Sequence, residues 1–146
     1  MDKVTFLTPS VAVTGFMTPK CLRIIKTLGF SSVINMMPTA TSVMEDIPEK
    51  ALASKVRSRG LEYRRLPVNS ELEIDQDLIE SFKETLEEIP KPAIIFSRTG
   101  KNAVSVWACA MQNILTCEEL AAIASRAGYE ISHPIKDQIP FVSRAA

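Results

Sequence analysis

Four apolar residues, Ala93-Ile94-Ile95-Phe96, run through a polar turn, Ser97-Arg98-Thr99-Gly100-Lys101-Asn102, into a segment that is apolar on every side. The first part reads as a buried strand. In the last part Ala103, Val104, Val106, Trp107, Ala110 and Met111 surround a helix with hydrophobic surface. A helix without a polar face belongs in an interior, so this unit is expected at the centre of the molecule.

The remaining chain repeats the pattern of strand followed by helix. Val4–Leu7 and Val11–Val13 flank a "TPS" turn and read as paired strands. Thr18 as cap, Pro19 in the first turn and apolar Leu22, Ile25 and Leu28 predict a helix that Gly29 ends, with Met17 and Leu22 at staple positions. "SSVINM" reads as a strand, "PTATSVMED" as a surface loop, "IPEKALASKVRSRG" as a helix and "LEYRRLPV" as a strand whose alternation slips near Arg65. Leu78, Ile79, Phe82, Leu86 and Ile89 draw one apolar face on an acidic helix closed by Pro90. Thr116 and Glu119 form a capping box for a last helix ending at Gly128. Strands alternating with helices predict an α/β fold with a mostly parallel central sheet flanked by helices.

With 146 residues the chain is expected to form one domain, 1–146, with a C-terminal tail from about residue 129. Seventeen basic and seventeen acidic residues cancel, which argues against a nucleic-acid partner, since that needs a cationic face. No apolar run approaches the length of a membrane span, and "MDKVTFLTPS" lacks the features of a secretory signal. Cys21, Cys109 and Cys117 form no CxxC pair and leave an odd thiol, consistent with reduced cysteines and a cytoplasmic location. Cys109 reads as a small core residue, and Met36 and Met37 as core. A single histidine, His133, leaves no basis for a histidine-rich zinc site; neither metal nor cofactor is expected.

The turn at 97–102 has chemistry of its own. In open α/β sheets ligands bind beyond the carboxyl ends of strands, and backbone N–H groups at a helix N-terminus attract anions. Gly100 permits the backbone angles that such a cradle needs. Ser97, Arg98, Thr99, Gly100, Lys101 and Asn102 are therefore the expected anion-binding residues, with phosphate or a phosphorylated molecule as ligand.

Four segments, "VTGFMTPKCLRIIKTLGFSSVINMMP", "GLEYRRLPV", "PAIIFSRTGKNAVSVWA" and "EELAAIASRAGYEIS", in this order and spacing, resemble the beta-lactamase-hydrolase-like phosphatase family from about Val11 to about Ser132. The resemblance implies the fold of dual-specificity and tyrosine phosphatases. It also implies a loop of the form Cys-Arg-Ser-Gly-x-Arg, which is close to that of rhodanese sulfurtransferases. On this chain the cysteine position is Ser97, followed by Arg98, Thr99 and Gly100. The second arginine falls at Asn102, or at Ala103 under the longer tyrosine-phosphatase spacing. Upstream, where the family carries an arginine before the proline of "NLRP", this chain has Met37 in "INMMP".

A cysteine phosphatase depends on a thiolate near neutral pH; a serine hydroxyl needs an adjacent base, and no histidine is encoded near Ser97. An arginine fork grips two phosphate oxygens, whereas Asn102 offers a neutral amide and Lys101 a flexible point charge expected to face solvent. Glu71, Glu73, Asp75 and Asp77 are general-acid candidates, but carboxylates at a helix start also cap it. The leading expectation is a phosphatase-like protein of weak or absent activity that retains an anion site, with Ser97 at the nucleophile position. The alternatives are an active phosphatase-type hydrolase on an unfamiliar substrate, or a protein-interaction module.

Overall fold

The computed structural model describes residues 4–15, 17, 19–38 and 49–131. Strands β1 (Thr5–Thr8), β2 (Val11–Thr14), β3 (Ser32–Asn35), β4 (Glu62–Arg65) and β5 (Ala93–Phe96) form one sheet in the order β1-β2-β5-β3-β4. β1 pairs antiparallel with β2; every other pairing is parallel. The helices are α1 (Pro19–Thr27), α2 (Glu49–Ser58), α3 (Gln76–Glu88), α4 (Lys101–Ala110) and α5 (Cys117–Arg126). The architecture is α/β, with helices on both faces of the sheet.

Two cores result from the alternation of side chains along each strand. On one face Ala12, Val33, Ile94 and Phe96 pack with Cys21, Leu22 and Ile25 of α1 and Leu52 and Val56 of α2. On the other, Val11, Val13, Ile34, Ala93 and Ile95 pack with Ile79 and Phe82 of α3, Val104 and Trp107 of α4, and Leu120 and Ala124 of α5. β5, covered on both sides, is wholly buried, as is Trp107 in α4. Met17 and Leu22 share the first core, as a hydrophobic staple requires, and Met36 and Met37 are buried.

The ends of the elements follow local chemistry. Asp75 accepts the Leu78 N–H and caps α3, and Thr116 and Glu119 exchange both bonds of a capping box on α5. Thr18 lies outside the described residues, as do His133 and the loop 39–48. Leu28 differs from expectation. It is 55% exposed at the end of α1, whereas Cys21 in the first turn is buried with Leu22 and Ile25. Tyr129 and Ile131, placed in the tail by sequence, pack against the second core.

The connections open a crevice beyond the carboxyl end of β5. β2 and β3, its two neighbours, lead into α1 and α2 on one face, while β5 leads into α4 on the other. Chains diverging to opposite faces open a gap beyond the strand ends, where α/β proteins bind ligands. Ser97 is the first residue beyond β5.

Candidate active-site loop

Gly100 is the N-cap of α4 and adopts a left-handed conformation, φ +92°. Having no side chain, it cannot cap the helix itself, and its neighbours do so. The Ser97 hydroxyl accepts the Ala103 N–H at 3.2 Å, and the Thr99 hydroxyl accepts the Lys101 N–H at 3.4 Å. Two of the donors that an α-helix start leaves open are thus met by hydroxyls from its own loop. Ser97 is 2% exposed. Among the described residues its hydroxyl has this one hydrogen-bond partner, and no carboxylate or imidazole reaches it.

The loop borders a cavity of about 220 Å³ lined by Pro38, Asn69, Ser97, Arg98, Thr99, Lys101 and Asn102. All of the expected anion-binding residues except Gly100 line it; Gly100 supplies the turn. Pro38 comes from the end of β3 and Asn69 from the segment after β4, so three strand ends converge. Lys101 faces solvent, as expected, and is also paired: its Nζ lies 3.4 Å from Glu71 Oε1. A larger hollow of about 460 Å³ lies between α3 and the end of α4. Its lining includes Glu80, Lys83, Glu84 and Glu87, a mainly acidic face of α3.

The four acidic candidates separate clearly. Asp75 is spent on its cap, and Glu73 Oε1 accepts the Asn69 N–H at 3.2 Å. Asp77 lies in the first turn of α3. Among the described residues Glu71 is the one of the four that forms an ion pair with a cavity-lining side chain, while Glu73 holds the backbone of Asn69, which also lines the cavity.

One structural network was not foreseen in the sequence. Arg65, where the alternation slips, sends its guanidinium to the carbonyls of Asn35, Met37 and Pro38 and to Asn35 Oδ1. Asn35 in turn accepts from Met37 N–H and donates to the Tyr63 hydroxyl at 2.9 Å, while Tyr63 donates to Glu49. Burial, and then the bond to Glu49, raises the Tyr63 phenol above its ordinary range. This network fixes the Met37–Pro38 turn, and with it one wall of the cavity. Burial also pushes the Cys109 thiol up to about 12, which keeps it protonated as a core residue.

Among the described residues no group of three or more metal-ligating side chains gathers, and no helix is long and apolar enough to cross a membrane.

A sheet with β5 at its centre, a glycine loop at the start of a buried helix and a crevice beyond it define a cysteine-phosphatase-like fold. The chain belongs to the family of the beta-lactamase hydrolase-like protein, phosphatase-like domain, which matches residues 3–114. No curated protein matches the chain. Among solved structures it is similar to a candidate phosphatase of Neisseria meningitidis, at 18% identity over 92% of this chain and 94% of that one, with a TM-score of 0.79. A candidate phosphatase of Shewanella putrefaciens is similar at 16% identity over 97% and 91%, with a TM-score of 0.74. PTPMT1 in complex with PI(5)P is similar at 15% identity over 99% and 100%, with a TM-score of 0.69.

Proposed function

We propose that this chain is a phosphatase-like domain that binds phosphate or a phosphorylated ligand at residues 97–102 and turns it over slowly or not at all. The observation that carries this reading is the Ser97 hydroxyl. It is buried and engaged with the Ala103 N–H, with no base beside it among the described residues, and the sequence resemblance puts it at the family's cysteine position. An alcohol in that setting holds its proton near neutral pH and is a poor nucleophile. The resemblance puts the family's arginine at Asn102, or at Ala103 under the longer spacing, and neither side chain brings charge to the transition state.

Binding is a separate matter from turnover. The cavity still offers the start of α4, the side chains of Arg98 and Lys101 and the Asn102 amide, a set that favours an anion. The bound PI(5)P of PTPMT1 is consistent with this choice of ligand class. Titration of inorganic phosphate and sulfate, followed by the backbone amide resonances of residues 97–103, tests the reading. Saturable shifts confined to that loop are expected. Loop amides that stay unmoved at tens of millimolar phosphate would refute it.

A further inference from the structure

The ion pair between Lys101 and Glu71 adds a polar link between two segments, the start of α4 and the turn before α3, that the second core already holds together through Val68, Ile74, Ala103 and Val104. Lys101 opens α4 and lines the cavity; Glu71 begins a short 3-10 turn, Glu71–Glu73, between β4 and α3. That turn is closed by its own backbone, with Glu73 N–H on the Ser70 carbonyl at 3.0 Å and Ile74 N–H on the Glu71 carbonyl at 3.2 Å. Its fold does not require the Glu71 carboxylate. A carboxylate held on a cationic group at the mouth of an anion pocket occupies a charge that a ligand would otherwise use.

We propose that Glu71 is a built-in competitor for the anion: its carboxylate holds the Lys101 ammonium in the empty site, and a phosphate-class ligand binds by taking that ammonium over. This rests on the anion-site reading above and adds to it how affinity is set. Lys101 becomes the residue that selects for anionic charge. Ligand binding releases the Glu71 carboxylate from Lys101, so that occupancy at 97–102 is transmitted to the segment leading into α3. The pair is solvent-accessible on both sides, with side-chain exposures of 54% and 41%, so the exchange requires no rearrangement of the core. An exposed pair of this kind contributes little to stability, and for that reason it is cheap to exchange.

The test is inorganic phosphate titrated into the wild-type chain, Glu71→Gln, Glu73→Gln, Lys101→Met and the Glu71→Gln/Lys101→Met double variant, at fixed low ionic strength. Loop amide shifts give the affinities. Glu71→Gln should bind phosphate about fivefold more tightly than wild type, the scale of one nearby charge in a solvated site. Glu73→Gln makes the same change in net charge but removes a carboxylate that accepts the Asn69 N–H; it should alter affinity much less. Lys101→Met should weaken binding, and in that background Glu71→Gln should lose most of its effect, because the two act through one pair. The gain should shrink as salt is raised. Wild-type binding with no gain in Glu71→Gln, or with equal gains in Glu71→Gln and Glu73→Gln, overturns the competitor role and leaves the anion site standing. Absence of phosphate binding in wild type and in every variant overturns both.

Discussion

The phenol ring of Tyr129 packs where Gly100 would carry a side chain: a Cβ built on Gly100 would lie 2.7 Å from Tyr129 Cζ and closer still to its hydroxyl. The segment just after α5 therefore braces the loop, and the turn before α4 is held by a residue outside the 97–102 segment. Gly100 is required twice, once for φ +92° and once for this approach.

Gly100→Ala should accordingly destabilise the protein by more than the roughly 1–2 kcal/mol that a left-handed residue with a side chain costs. Adding Tyr129→Ala should remove the steric part and leave the conformational part. The double variant is expected to cost less than the sum of the two single changes, measured by urea unfolding. Additive costs would mean that the ring moves aside freely.

The Cys109 thiol, pushed up to about 12 by burial, gives the fold an alkaline limit. An unburied cysteine titrates near about 8.5. Between these values the unfolded chain has lost its proton and the folded chain has kept it, so stability falls as pH rises, by about 1.4 kcal/mol per pH unit. This contribution is fully present below about pH 8.5. The raised Tyr63 phenol acts in the same direction above its ordinary value of about 10. Urea unfolding between pH 8 and 10 should show a shallower decline in Cys109→Ala than in wild type; identical slopes would contradict the assignment.

Much of the frame is readable from local pattern. The buried strand and helix around 97–102, the Asp75 cap and the Thr116–Glu119 capping box involve neighbours a few residues apart, and their signals lie in short windows. The stop of α1 at Gly29 is legible, but Leu28 at its end is 55% exposed, because helical spacing alone does not say how far along a helix the neighbouring elements cover its apolar face. The placement of β5 between β2 and β3, which creates the crevice, has no local signature. The contacts Lys101–Glu71 and Gly100–Tyr129 likewise join distant parts of the chain. Of the acidic candidates, sequence could not single out Glu71, since all four sit near one helix start.

If only the chemical groups are missing, they can be put back. Ser97→Cys would create a thiol at the start of α4, where the helix favours a thiolate, and Asn102→Arg would restore a fork for phosphate oxygens. The double variant is expected to hydrolyse phosphomonoesters on the order of tenfold or more faster than Ser97→Cys alone, in line with the worth of a transition-state donor. A double variant that folds and binds phosphate yet shows no hydrolysis would place the deficit in loop geometry.

Steady-state hydrolysis of a phosphomonoester by purified wild-type protein, set beside Ser97→Ala, tests the central claim most directly. Ser97 caps α4 through the Ala103 N–H, so Ser97→Ala should cost about 1 kcal/mol of stability. The account predicts that turnover by wild type stays near background and that Ser97→Ala leaves it unchanged. Hydrolysis at the rates of cysteine phosphatases, abolished by Ser97→Ala in a protein that remains folded, would contradict it.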